Sequence, residues 1–379
     1  MKNIDKNVIY LGWVSFFTDM ASSMITTLLP IFVVNVLKEG VDKLGIIIAV
    51  TAFVSYAFRI VFGYLSDRFG IVKPFVVGGY FISALSKPLL AYSNSFASVA
   101  VLRGAERMGK AIRSASKDSL ISSFVKNKAH GKTFGFHKMM DIAGEMSGAI
   151  VIFVSFIFFS QSEFVIREIF KLALIPGLIA TFIIFFFVKD APKKTIIKDR
   201  VANRKDFKLF PILFIYFGFV FFVMSEQFLI LRAKDMRFGL DIIPLLVISF
   251  TAIQTISSYF GGVISDKIGI FKTLFISFCF GIFAIFIMKY NIWISFIFLG
   301  LFTVFSLNAL RANISKNATS KGFVYGVFYG GVAISSSLGA LSIGFIWKIY
   351  GFDNTLVFSE VGMLIMLSLL FFAKNWQKT

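Results

Sequence analysis

Charged side chains recur at helical spacing inside two apolar segments of the chain, where they could bind protons or charged solutes. In the first segment, Arg103, Glu106, Arg107, Lys110 and Arg113 follow at steps of three or four residues, which places them on one stripe of a helix. An ionisable group at bilayer depth costs about 3 kcal/mol or more unless it is paired or hydrated. The stripe therefore predicts either a hydrated cavity or a set of buried ion pairs.

The second segment carries His137, Asp141 and Glu145 as successive four-residue neighbours, again on one stripe. If the two segments form antiparallel helices, the stripes can face each other as an ion-pair ladder. Mid-depth rungs favour a functional role, whereas rungs nearer the cytoplasm favour structural salt bridges. The predicted rungs are Glu145 with Arg107, Asp141 with Lys110, and His137 with Arg113.

The first apolar segment of the chain has a polar stripe of its own, formed by Ser15, Asp19, Ser22 or Ser23, and Thr26. Lipid would reject such a stripe, so it should face water. Asp19 and Glu145 are the predicted proton carriers, because a partly desolvated carboxylate takes up a proton readily. The alternative for Asp19 is a structural tie to Arg107 or Arg59.

Other charged residues receive weaker assignments. Arg107 and Arg103 are candidates for an anionic part of a substrate or for a counter-ion, and Arg59 could reach a gate around Asp67. Lys87, near the outer end of its helix, is expected to extend its amine to the interface as a structural residue. Glu226 could belong to an outer gate or be a solvated interfacial residue.

The sequence contains little that favours a metal site or an enzyme. His137, Asp141 and Glu145 have a spacing that suits two ligands of one metal, but the neighbouring cations oppose a divalent ion, so no metal and no cofactor are predicted. The chain has no nucleotide-binding loop and no Ser-His-Asp order along the sequence, so an enzyme and an ATP-driven pump are both disfavoured. Cys279 is the single cysteine, which rules out a disulfide within the chain.

Composition places this chemistry in a membrane. Of 379 residues, 57% are hydrophobic and 51 are Phe, more apolar surface than a soluble domain of this size can bury. Continuous apolar runs predict helical spans and disfavour strands. The predicted spans 1 to 12 cover 8–37, 43–66, 74–94, 97–114, 134–159, 170–188, 209–232, 240–264, 271–289, 292–312, 322–348 and 354–373.

The net charge of +19 lies largely in short loops, which indicates a positive-inside topology and no nucleic-acid partner. A basic linker at 189–208 separates two predicted six-helix bundles, at 1–188 and 209–379. The linker, the basic loop at 115–133 and both termini should be cytoplasmic. The chain is thus predicted to be an all-α membrane protein that lies in a lipid bilayer.

One short polar sequence occurs twice, about half a chain apart. Gly63, Asp67, Arg68, Gly70 and Lys73 mark the first copy, and the second copy is marked by Gly262, Asp266, Lys267, Gly269 and Lys272. Duplicated membrane bundles are typical of secondary transporters. Spans 5 and 11 repeat as well: a run ending at Gly148-Ala149 aligns with one ending at Gly339-Ala340.

The repeated polar sequence resembles the loop signature of the major facilitator superfamily, although the usual basic pair after its second Gly is displaced to Lys73 and Lys272. The stretches 15–30 and 103–118 are similar to a branch of bacterial permeases. This similarity implies a monomer in a bacterial cytoplasmic (inner) membrane. The resemblance implies twelve transmembrane helices in two six-helix pseudo-repeats, and it implies that Asp67 and Arg68 tether helix ends when the cytoplasmic side is closed. Span 5 lacks the Gly-Pro pair of proton-driven drug exporters.

The sequence thus favours a proton-coupled secondary transporter of a small-molecule substrate, working by alternating access, with export preferred by family analogy alone. Three alternatives stay open: uptake of an organic anion, favoured by the excess of buried cations; a divalent-metal carrier; and a membrane receptor that does not transport.

Overall fold

The computed structural model describes residues 5–69, 73–124, 130–190, 204–319 and 321–376, and within these ranges it is helical almost throughout, without a strand. A π-helical turn covers Phe32–Val36, and 3-10 turns cover Leu90–Tyr92 and Arg204–Leu209. The α-helices are α1 (Lys6–Thr26), α2 (Leu29–Ile31), α3 (Val41–Phe69), α4 (Lys73–Leu89), α5 (Phe96–Ser123), α6 (His130–Phe158), α7 (Glu163–Leu172), α8 (Leu174–Phe187), α9 (Phe210–Phe222), α10 (Glu226–Asp235), α11 (Ile243–Ile268), α12 (Ile270–Ile287), α13 (Ile292–Asn317) and α14 (Lys321–Trp376).

Nine helical stretches of the described residues are long and apolar enough to cross a membrane. One of them, Phe323–Phe372, has 50 residues, enough for two crossings, and the non-helical backbone of Gly351 (φ 83°) divides it. The two remaining crossings are α5, which carries the charged stripe, and α11, whose apolar part is shorter. The fold is thus the predicted one, with twelve transmembrane helices.

Some boundaries differ from the prediction. Span 4 was expected to end at 114, but α5 continues to Ser123, so that Lys117 lies on a helix and not in the basic loop. Polar helix ends outside hydrocarbon carry no penalty, so hydropathy underestimates their length. Span 7 divides into α9 and α10, because Val223 leaves the helix (ψ 131°) and Ser225 starts the next one.

Contacts divide the chain into two compact units. Unit 1 comprises Met1–Glu39, Val50–Ile197 and Phe238–Leu245, and unit 2 comprises Gly40–Ala49, Lys198–Arg237 and Leu246–Thr379. In unit 1, α1 packs along α6 and α8, and α4 packs along α5 and α8. In unit 2, α9 packs along α14 and α12 along α13.

Glycines let the helices of each unit approach closely. A Cβ at Gly148 on α6 would collide with the carbonyl oxygen of Met20 on α1, and one at Gly339 on α14 would collide with that of Phe221 on α9. The sequence repeat aligns Gly148 with Gly339, so equivalent glycines make equivalent helix contacts in the two units. Small residues at such crossings let backbones meet where no hydrophobic effect drives association in lipid.

Candidate transport site

A buried ion pair lies at the start of the charged stripe on α5. Arg103 is fully buried and Glu106 is 2% exposed, and Arg103 Nη1 donates to Glu106 Oε2 one turn along the same helix. The Nε and Nη2 atoms of Arg103 are also buried but have no hydrogen-bond partner. Burying a guanidinium with two unsatisfied donors is costly, so these atoms are available to an anionic group.

Lys87 on α4 joins this buried group of charges. Its side chain is fully buried and Nζ lies 3.3 Å from the Thr18 carbonyl oxygen on α1. The expectation that Lys87 reaches the membrane interface is therefore wrong. Its position one residue before Pro88, near the end of α4, suggested that the amine could reach the membrane interface, but the amine points into the packed unit instead.

Arg113 is held against α4. Its side chain is 5% exposed, the guanidinium carbon lies 4.4 Å from the centre of the Tyr80 ring, and Nη1 donates to the Gly79 carbonyl oxygen at 3.4 Å. The helices meet closely here, because a Cβ at Gly79 would lie 2.5 Å from the Gly109 carbonyl oxygen. Stacking on an aromatic ring and a backbone bond give Arg113 a structural role.

The ion-pair ladder predicted between spans 4 and 5 is not formed among the described residues. Arg103 pairs within its own helix, Arg113 turns to α4, and His137 turns to Ser15 on α1 and to Asp141 on its own helix. The physical reason is packing: α5 lies along α4, whereas α6 lies along α1. Equal depth along two helices did not bring their stripes together.

Two acidic side chains flank the contact between α1 and α6. Glu145 follows Gly144, where an added Cβ would collide with the Phe16 carbonyl oxygen, and Asp19 lies one turn beyond Phe16. Both side chains are half-buried, and neither makes a hydrogen bond or ion pair within the described part of the chain.

The remaining cations of the stripe are less buried. Arg107 is of intermediate exposure, with a buried Nε that has no hydrogen-bond partner, and Lys110 is exposed. Arg59 on α3 is of intermediate exposure and has interactions of its own. Arg107 and Lys110 form no ion pair with Glu145 or Asp141 among the described residues, although both were assigned to rungs.

A line of polar contacts, called here the polar line, runs from Lys117 on α5 through Ser15 on α1 to His137 and Asp141 on α6. Ser15 Oγ lies 2.9 Å from His137 Nε2 and 3.3 Å from Lys117 Nζ, and His137 Nδ1 lies 3.3 Å from Asp141 Oδ1. Ser15 is 2% exposed and His137 5% exposed. The sequence suggested Ser15, His137 and Asp141 separately, whereas Lys117 was expected in the basic loop at 115–133. The Ser15–His137 contact could not be found from it, because it joins residues on different helices.

The predicted gate lies largely outside the described residues. Gly70 is outside them, as are the side chains of Asp67, Arg68 and Asp266, while Gly63 lies in α3. Lys73 is described: its Nζ donates to the Phe185 carbonyl oxygen at 2.9 Å and its backbone N–H to Asp190 Oδ1 at 3.1 Å. In the second copy, Gly269 has a positive φ of 80° before α12, and Lys267 is exposed.

Glu226 begins α10, just after the break in span 7. Its side chain is of intermediate exposure and has interactions within the structure, whereas the buried Gln227 Oε1 beside it has no hydrogen-bond partner. Broken helices often place polar groups at transport sites. The role of Glu226 therefore stays a prediction.

Comparison with known proteins assigns the family. Residues 11–340 match the family model described as Major Facilitator Superfamily. The chain belongs to the major facilitator superfamily. An uncharacterized MFS-type transporter of Methanocaldococcus jannaschii is 31% identical over 98% of this chain and 96% of its own length. The chain is therefore an integral membrane transporter and not an enzyme.

Solved structures of the superfamily share the fold. A bacterial homolog of the human lysosomal transporter Spinster superposes with a TM-score of 0.76 at 14% identity, covering 97% of this chain and 96% of that one. A POT family transporter in complex with a thioalcohol-conjugated peptide gives a TM-score of 0.80 at 12% identity, covering 98% and 96%. At these identities the likeness shows the fold alone.

Proposed function

We propose that this protein is a proton-coupled secondary transporter of a small organic solute. The observation that supports this proposal is the position of Asp19 and Glu145. Both flank the α1–α6 contact, and neither makes an ion pair or hydrogen bond in the described residues. Two carboxylates near each other in a membrane repel, and binding one proton removes the repulsion and the cost of a buried charge. Such a pair can couple proton binding to a change of helix packing.

The proposed transport cycle uses two six-helix bundles, 1–188 and 209–379, joined by the linker 189–208. They would alternate access to the site in a monomer of the bacterial cytoplasmic membrane, with both termini in the cytoplasm. Asp67 and Arg68, with Asp266 and Lys267, would tether helix ends on the cytoplasmic side. Export is the proposed direction, and it rests on family analogy.

A flux experiment tests the coupling. The purified protein is reconstituted into proteoliposomes that contain a pH-sensitive dye, and a panel of small organic anions, cations and neutral solutes is added outside. We expect at least one solute to move protons in wild type. Glu145→Gln and Asp19→Asn should lose uphill transport driven by a pH gradient but keep solute exchange. Glu168→Gln, which removes an exposed acid on α7, is the matched control. Uphill transport that is normal in both site variants would refute the assignment.

Uptake of an organic anion is the second candidate, and Arg103 favours it. Three cations, Lys87, Arg103 and Arg113, are at least nine-tenths buried in unit 1, against Glu106 among the buried carboxylates. Because two buried nitrogens of Arg103 lack a partner, a carboxylate or phosphate would satisfy them. Two results separate this candidate from export of another solute. The first is the charge of the solute that moves protons, and the second is the direction of the pH gradient that makes the solute accumulate.

A further inference from the structure

The polar line through Ser15 has a chemical direction. Lys117 Nζ can only donate when charged, and the Asp141 carboxylate can only accept. With a neutral imidazole that carries its hydrogen on Nδ1, Lys117 donates to Ser15 Oγ and Ser15 donates its O–H to His137 Nε2. His137 Nδ1 lies 3.3 Å from Asp141 Oδ1, within ion-pair distance, although this buried oxygen accepts no hydrogen bond in the described residues.

The same geometry accommodates a protonated His137. In that state Nε2–H donates to Ser15 Oγ, whose hydroxyl hydrogen turns away, and the imidazolium faces the Asp141 carboxylate at 3.3 Å, an ion-pair distance. Ser15 alone, paired with His137, would be enough to fasten α1 to α6. The line instead continues at both ends to groups that carry opposite charges.

Among the residues whose side chains are described, the charged and titratable groups near His137 come from three helices. On α5 it is Lys117, on α6 they are Asp141 and Lys138, and on α1 the neighbour is the Ser15 hydroxyl with Asp19 one turn further along. Asp141 is thus the carboxylate that balances an imidazolium at this position. Glu145 lies one further turn along α6, about 6 Å of helix rise from Asp141.

We propose that His137 is a second proton-binding site, loaded through Lys117 and Ser15 and balanced by Asp141. In the loading step Lys117 gives a proton to Ser15 Oγ, Ser15 gives its own to His137 Nε2, and water returns one to Lys117. One proton has then moved from water to the imidazole, and no other bond has changed. Release is the reverse. The proposal deepens the proposed function, because it places proton exchange beside Glu145.

Nuclear magnetic resonance can test this directly, because the chain contains only two histidines. In full-length His130→Gln protein carrying 15N-labelled histidine, each imidazole signal belongs to His137. We expect a neutral ring with hydrogen on Nδ1 at high pH and reversible protonation of Nε2 as the pH is lowered through the range in which the protein stays folded. Asp141→Asn should move the midpoint to lower pH by about one unit, because it removes the balancing charge. Ser15→Ala should change the Nε2 signal of the neutral ring.

Lys138→Gln is the matched control, because it removes an exposed charge from the same helix and should move the midpoint slightly upward. A ring that keeps one protonation state across this range, or a midpoint that Asp141→Asn leaves in place, would overturn the proposal.

The test needs no substrate and so is independent of the proposed function. If protons bind to His137 but no solute moves protons in proteoliposomes, the proton site stands and the proposed transport coupling fails. His137→Gln should also alter the pH profile of transport, and an unchanged profile would contradict the site.

Discussion

Lys348 on α14 donates from Nζ to Asp42 Oδ2 on α3 at 3.1 Å, and this bond ties the first turn of α3 into unit 2. The carboxylate is 4% exposed, whereas the lysine is 52% exposed. The pair is therefore asymmetric, with one partner buried and the other able to turn to solvent. Beside it, a Cβ at Gly344 would lie 3.0 Å from Gly45 Cα, so the helices touch at this point.

The asymmetry predicts which partner matters more for stability. Lys348→Gln leaves a buried carboxylate without its cation and should lower the free energy of unfolding by about 1–3 kcal/mol. Asp42→Asn should cost less, because the lysine can be hydrated. Thermal unfolding in detergent measures both. Lys289→Gln is the control: Lys289 pairs with Asp353 on the surface, and its removal should change stability by less than about 0.5 kcal/mol. Equal losses at Lys348 and Lys289 would contradict the buried position of Asp42.

Because Arg103 and Glu106 form a buried pair, we expect the losses of unfolding free energy caused by replacing each of them to be strongly non-additive. Arg103→Leu should destabilise unit 1 by about 3–5 kcal/mol, because it leaves the buried Glu106 without its cation. Glu106→Gln should cost a similar amount, because it leaves the buried Arg103 guanidinium without its counter-ion. Arg103→Leu combined with Glu106→Leu should recover much of the loss. A double-mutant cycle of unfolding free energies measures the coupling. Additive losses would show that the two side chains are not paired.

The glycine contacts predict matched effects in the two repeats. Gly148→Ala and Gly339→Ala should each lower thermal stability by several degrees, because the added methyl group would collide with a backbone carbonyl. Gly330→Ala, on the same helix as Gly339, meets nothing within 4 Å and should be neutral or slightly stabilising through its helix propensity. A loss at Gly330 as large as that at Gly339 would contradict the contact.

Much of the fold was predictable because lipid imposes simple rules. Long apolar runs, the repeated polar sequence and the aligned glycines of spans 5 and 11 led to the twelve-helix fold of the superfamily. Boundaries such as the end of α5 were predicted less accurately, because hydropathy indicates which residues can lie in lipid and not where a helix ends. The break of span 7 at Val223 had no sequence signal of the Pro or Gly type.

The site was harder to predict, because helix neighbours decide its contacts. Periodicity placed Arg103, Glu106, His137 and Asp141 on the correct faces, but it paired α5 with α6. The structure pairs α6 with α1, which gives His137 a serine partner instead of Arg113. Lys87 shows the same limit, since its burial depends on the neighbouring α1 and not on its distance from the helix end.

Proton flux in proteoliposomes decides whether Asp19 and Glu145 couple protons to solute movement. The coupled solute is identified in the panel, and lumenal pH is then followed for wild type, Glu145→Gln and Asp19→Asn. We expect solute-dependent proton movement in wild type that is lost in both variants, with solute exchange retained. Proton movement of wild-type rate in both variants, or solute transport that never moves protons, would rule out this coupling.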